Sequence, residues 1–264
     1  MSTTIQSLRE HREHGRKFSC LTAYDATFAG LLSDCGIDVQ LVGDSLGMVL
    51  QGRESTVPVS MEDIVYHTEC VARAKPESLV MTDLPFMSYA TTEQCLHNAA
   101  RLMQAGSQMV KIEGTDWVAE CVHQLTQRGI PVCAHLGLTP QFINKLGGYR
   151  VQGKGEEASE RMIAQAQRLV EAGADIVLLE CVTSSLGTRI TREVGVPVIG
   201  IGAGPDTDGQ VLVLQDILGI SRGHKPRFVK DFLQEGGSVE GAVRAYDQAV
   251  KNGKFPESRH SFSG

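Results

Sequence analysis

Eight times along its 264 residues the chain alternates a short, almost unbroken apolar run with a longer polar or amphipathic stretch. The runs fall at 17–23, 38–44, 78–85, 107–114, 130–137, 174–181, 196–204 and, more weakly, 209–216. A strand with one wet face alternates apolar and polar residues, whereas a parallel strand covered on both faces reads as a continuous run. The stretches between them carry helical spacing. Residues 61–75 bring round Ile64, Tyr66 or His67, and Val71 at intervals of three and four. A second helix is capped by Thr91 or Thr92 and stops at Gly106, and a third spans 156–173. Ala-Gly before a strand, at 105–106 and 172–173, is the joint expected of a repeated βα unit. These units predict an α/β fold, a (β/α)8 TIM barrel, with a doubly wound sheet as the competing arrangement. Residues 1–264 read as one domain with a short N-terminal helix, one or two closing helices over 226–254 and a tail from 255.

The 25 basic and 31 acidic residues leave a net charge of −6. Nucleic-acid binders carry a basic face, so no nucleic-acid partner is expected. The uncharged run 130–144 contains two prolines and falls short of the ~20 apolar residues a spanning helix needs, so no membrane partner is expected either. The first residues lack the apolar core of a secretory signal. Seven cysteines without a C-x-x-C pair read as reduced thiols of a cytoplasmic protein and argue against a zinc site.

A barrel places its chemistry where strands meet the loops that follow them. Those positions hold Asp44 and Ser45 after the second run, Asp83 after the third, Lys111 and Glu113 in the fourth, His135 in the fifth and Glu180 in the sixth. Any one of them has a structural reading, as a helix cap or an ion-pair partner. Together they would converge on one mouth. Two aspartates and a glutamate crowded there would raise each other's pKa. A hard divalent cation removes the conflict, and magnesium takes such oxygen ligands. Asp44 and Asp83 are the direct candidates, with Glu113 acting directly or through water. Lys111 shares a strand face with Glu113 and is a candidate for binding a substrate carboxylate, with a Schiff base as the alternative. Glu180 follows a very apolar run and suits a general base. His135 reads equally as a hydrogen-bonded wall residue or a proton carrier, and the other histidines show no metal-ligand spacing. The glycines of 200–204 read as a tight turn or a close approach to a ligand. Residues 45–60 and 137–155 form long loops over the mouth, as a lid or a binding wall.

Seven segments match a known family in order: LVGDSLGM (41–48), TDLPFMSY (82–89), VKIEG (110–114), AHLGLTPQ (134–141), GGYRVQGKG (147–155), LLEC (178–181) and PVIGIGAG (197–204). The chain resembles the ketopantoate hydroxymethyltransferase family. The resemblance implies a (β/α)8 barrel using Mg2+, with 5,10-methylenetetrahydrofolate as co-substrate and 3-methyl-2-oxobutanoate as the small-molecule keto acid. It implies transfer of a hydroxymethyl group through a magnesium-stabilised enolate to give 2-dehydropantoate, the first committed step of pantothenate synthesis. By the same resemblance Asp44, Asp83 and Glu113 are at the metal. Asp44, Ser45, Asp83 and Lys111 hold the keto acid, and Glu180 is the proton acceptor. It also implies a homodecamer, a pentamer of dimers. The nearest rival is a magnesium-enolate barrel of the isocitrate-lyase or phosphonopyruvate-mutase kind, whose lyases carry a K-K-C-G-H segment absent here. A non-catalytic binding barrel is the second rival.

Overall fold

The computed structural model describes residues 2–223 and 225–263. Eight parallel strands close into a barrel: β1 (Phe18–Thr22), β2 (Val39–Val42), β3 (Leu79–Asp83), β4 (Met109–Glu113), β5 (Val132–Gly137), β6 (Ile176–Glu180), β7 (Val198–Ile201) and β8 (Gly209–Leu212). Strands β1 and β8 pair directly, which excludes the doubly wound alternative. Alternate residues turn inward. Phe18, Cys20, Val39, Leu41, Leu79, Met81, Met109, Cys133, Ile176, Leu178, Ile199 and Val211 fill the barrel. The intervening residues, such as Val110, Ile112, Val132, Ala134, Val177 and Leu179, pack outward against helices. Burial on both faces is why the runs are continuous rather than alternating.

The helices begin and end where their residues dictate. Ser60 and Asp63 form a reciprocal capping box at the start of Met61–Arg73. On that helix Ile64, Thr68 and Val71 are buried while Tyr66 is exposed, so His67 is the residue facing inward and it contacts the Tyr24 carbonyl at 2.7 Å. Thr91, rather than Thr92, caps Thr92–Gln104. That helix and Glu156–Glu171 each end two residues before a glycine of positive φ, Gly106 at 106° and Gly173 at 113°, from which the chain turns into the next strand.

The helix Ile5–Glu13 closes the barrel floor. Its Leu8 joins the interior filling. Arg9 pairs with Asp175 at 2.8 Å, and Arg12 with Asp208 at 2.6 Å. The Arg12 guanidinium also donates to the carbonyls of Thr191 and Val194 at 2.7 and 2.5 Å.

Two segments differ from the sequence expectation. The eighth apolar run leaves the sheet after Leu212 and turns into the short helix Leu214–Ile217, because Leu214 within the run and Ile217 and Leu218 just beyond it pack outside the barrel against the closing helices. The two long loops contain the short helices Leu46–Val49 and Ile143–Leu146. Residues 226–254 contain the helices Leu233–Gly236 and Val239–Lys251, and the tail packs down, burying Phe255, His260 and Ser261. All seven cysteines are free, six buried and Cys70 half-buried. Among the described residues no helix is long and apolar enough to cross a membrane.

Candidate active site

Strand register brings the strand-end residues together. Asp83 of β3 is paired with Lys111 of β4, and Glu113 of β4 with His135 of β5. Partners in register on parallel strands point to the same side of the sheet, here above the apolar filling. Lys111 Nζ lies 2.5 Å from Asp83 Oδ1 and 3.4 Å from Glu113 Oε1. His135 stands between two acids, with Nδ1 3.1 Å from Glu113 Oε1 and Nε2 3.4 Å from Glu180 Oε2. The second of these is a charge contact not aligned as a hydrogen bond. Asp44, just past β2, donates its backbone N–H to Asp83 Oδ2 at 2.9 Å. The Ser45 and Tyr24 hydroxyls are 2.9 Å apart. All seven expected residues line one cavity of about 670 Å³. Glu180 keeps a side chain 14% exposed, while Asp44, Asp83, Lys111, Glu113 and His135 are buried.

This charge set shifts its own members. Burial disfavours the Lys111 ammonium, but Asp83, Glu113 and Asp44 outweigh it and hold the group well above the ordinary lysine value. A lysine kept charged has no lone pair with which to form a Schiff base. Burial also works against the Glu113 charge, yet Lys111, His135 and the Gln141 backbone N–H hold that carboxyl below its usual range. Burial and Lys111 depress His135, but the Glu113 charge and the contacts to Glu113 and Glu180 raise it to about 9. At neutral pH it is an imidazolium. Asp44 is the strained member. Burial, then the charges of Asp83 and Glu113, push its carboxyl well above the ordinary value, against Lys111 and a hydrogen bond from Gln141.

That surplus of buried negative charge is what a dication relieves, and the donor set is all oxygen. Among the described residues no three His, Cys, Asp or Glu side chains make a cage by themselves. The fit is therefore to a hard ion held by two carboxylates, with substrate and water oxygens around it. Asp44 and Asp83 fit that part. Asp83 and Glu113 both have their two oxygens already engaged, Asp83 by Lys111 and the Asp44 N–H, Glu113 by Lys111, His135 and the Gln141 N–H. Of the three, only Asp44 keeps a carboxylate oxygen with no such partner among the described residues.

The sequence reading does not single out Gln141 or Tyr89, although each ends a quoted segment. Gln141 Nε2 donates to Asp44 Oδ2 at 2.8 Å, and the Tyr89 hydroxyl reaches the Glu113 carbonyl at 2.9 Å. Both long loops line the cavity and meet over it, where the Tyr149 hydroxyl stands 3.6 Å from Met48 Sδ. Residues after β8, including Asp216 and Ile220, supply a wall the sequence reading lacks. The 200–204 glycines serve protein packing. At Gly202, with φ 61°, a Cβ would stand 2.9 Å from Phe228 Cδ1 and 3.0 Å from Phe262 Cε2, so the tight-turn reading holds. Of the remaining histidines, His224 lies outside the described residues.

A parallel barrel that gathers buried charge at the C-terminal ends of its strands is built as an enzyme. The family model described as ketopantoate hydroxymethyltransferase matches residues 2–258, and the chain belongs to that family of transferases. It is 60% identical over 262 residues to the 3-methyl-2-oxobutanoate hydroxymethyltransferase of Marinobacter nauticus, covering 99% of each chain. To the enzyme of that name from Alkalilimnicola ehrlichii it is 58% identical over 262 residues, covering 99% of this chain and 95% of the other. Among solved structures, phosphonopyruvate hydrolase superposes with a TM-score of 0.63 at 16% identity, over 82% of this chain and 83% of that one. A 2,3-dimethylmalate lyase gives 0.60 at 19% identity, over 80% and 81%. These share the fold alone. The lyase is a member of the PEP mutase/isocitrate lyase superfamily, so it is sequence similarity and not shape that separates this chain from that kind of barrel.

Proposed function

We propose that the chain transfers a hydroxymethyl group from 5,10-methylenetetrahydrofolate to 3-methyl-2-oxobutanoate, giving 2-dehydropantoate and tetrahydrofolate in the first committed step of pantothenate synthesis. The observation that carries this reading is Glu180. It is a partly exposed carboxylate on the wall of the cavity that holds Asp44 and Asp83, and it faces a charged His135. Asp44 and Asp83, with Glu113 behind them, would hold Mg2+, which would supply Lewis-acid polarisation of the keto group. Lys111 presents a fixed positive charge to the substrate carboxylate, and Ser45 presents a hydroxyl oriented by Tyr24. Glu180 removes the proton at C3, and His135 holds that carboxylate toward the cavity. Water releases the bridging methylene of the folate as formaldehyde, the two C–N bonds breaking as the two folate nitrogens take up the hydrogens of that water. The resulting enolate carbon attacks the formaldehyde, and the proton held by Glu180 goes to the new alkoxide as the hydroxyl hydrogen. The outer walls, from the loops after β2, β5 and β8, are long enough to cover the larger co-substrate. Assembly as a homodecamer in the cytoplasm is part of the same reading.

Proton NMR of 3-methyl-2-oxobutanoate in D2O with enzyme and Mg2+ tests it. Loss of the C3 proton signal, abolished by chelator, and formation of 2-dehydropantoate on adding methylenetetrahydrofolate are the expected results. No product with folate present, or cleavage of isocitrate in its place, overturns the reading.

A further inference from the structure

After β5 ends at Gly137, Pro140 opens a single turn, Pro140–Phe142, closed by the Phe142 N–H on the Thr139 carbonyl at 2.9 Å. The turn drives Gln141 inward, leaving it 2% exposed. Both side-chain N–H groups are used, on Asp44 Oδ2 at 2.8 Å and on the Leu84 carbonyl at 2.9 Å. The amide oxygen lies 2.5 Å from the Tyr89 hydroxyl. The amide has one orientation only, because a flip would set its oxygen against the Leu84 carbonyl, another acceptor. Burial pushes the Tyr89 phenol far up, so it remains a donor. Trp117 stacks on the Tyr89 ring with centroids 5.6 Å apart and holds it in place. The Tyr89 proton is shared between Gln141 Oε1 and the Glu113 carbonyl at 2.9 Å, the amide being the closer acceptor. A buried network of this kind is rigid, and it ends on the Asp44 carboxylate.

We propose that Gln141, locked by Tyr89, is a positioning residue that presents Asp44 to the divalent cation. The inference rests on the reading of Asp44 as a metal-holding carboxylate given above. Partners that orient a ligand from behind it are worth roughly 10–100-fold in metal affinity. The backbone N–H of Gln141 donates separately to Glu113 Oε2 at 3.1 Å, and substitution of the side chain leaves that bond in place.

The test is Mn2+ binding to the substrate-free protein, read from the electron paramagnetic resonance of free Mn2+, together with steady-state kinetics. Gln141→Leu should weaken Mn2+ by roughly 10–100-fold yet recover most of kcat at saturating Mn2+, a recovery that a damaged fold would not show. Tyr89→Phe should weaken Mn2+ roughly 2–10-fold, the worth of one hydrogen bond. The double variant should bind no more weakly than Gln141→Leu alone, since Tyr89 acts through the amide. Wild-type affinity in a folded Gln141→Leu, or full additivity in the double variant, overturns the inference. Should Gln141→Leu fail to fold, Tyr89→Phe carries the test alone, and unchanged affinity in it overturns the inference. Wild-type protein that holds no Mn2+ overturns the metal reading and this inference together, whereas normal wild-type binding with an unaffected Gln141→Leu overturns this inference only.

Discussion

His135 and Glu180 face each other at 3.4 Å across the seam between β5 and β6, the first buried and the second reaching the open cavity. The imidazole is anchored from behind by Glu113 at 3.1 Å, so the contact fixes where the Glu180 carboxylate stands.

Glu180→Gln keeps the side-chain shape and removes the proton acceptor. Keto acid binding should stay near normal while the rate falls on the order of 10²–10⁴-fold, the usual worth of a general base. Isothermal titration alongside steady-state kinetics checks this, and a near-normal rate would remove Glu180 from that role.

Asp83→Ala deprives Lys111 of its closest partner and the Asp44 N–H of its acceptor. Binding of the keto acid should lose its dependence on Mg2+. Calorimetric titration of the keto acid with and without the metal reads the difference, and an unchanged metal dependence would count against Asp83 as a ligand.

His135 should remain charged well past neutrality in the metal-free protein, because its folded value of about 9 lies above the ordinary 6.5. The sign follows from linkage. A raised histidine stabilises the folded state fully below pH 6.5, and that contribution fades as pH rises through about 9. Nitrogen-15 NMR of the imidazole should show titration in the upper part of that window. A midpoint near 6.5 would remove the charged bridge.

Arg12→Ala removes a half-buried ion pair and leaves the carbonyls of Thr191 and Val194 without their donor. The cost should be about 2–4 kcal/mol, a fall in Tm of roughly 4–7 °C for a chain of this size. Catalysis by the protein still folded should be untouched, since the floor lies at the opposite end of the barrel from the mouth. Calorimetry and residual kcat separate the two effects.

Much of this was readable in the residues themselves. Doubly buried strands announce themselves as unbroken apolar runs, and strand ends are where a barrel puts its chemistry, so Asp83, Lys111, Glu113, His135 and Glu180 could be picked by position. Gln141 and Tyr89 could not, because their importance lies in hydrogen bonds across 52 residues of sequence separation, which no local period reports. The choice between Tyr66 and His67 needed the packing of the neighbouring helices. Strand and helix were confused after Leu212 because an apolar run buried outside a barrel resembles one inside it. The 200–204 glycines leave a tight turn and a close approach to a ligand equally open in the sequence, and only the packing of Phe228 and Phe262 against Gly202 decides for the turn.

The floor helix Ile5–Glu13 precedes all eight strands and docks on residues far along the chain. Its anchors are Asp175, Thr191, Val194 and Asp208, so during synthesis it emerges with none of its partners yet in existence. Until β7 and β8 arrive to close the ring, the lower end of the barrel has no seal. Docking of this helix on its charged anchors therefore waits for the chain from Asp175 to Asp208, and a chain that stops short of Asp175 carries the helix with none of those partners.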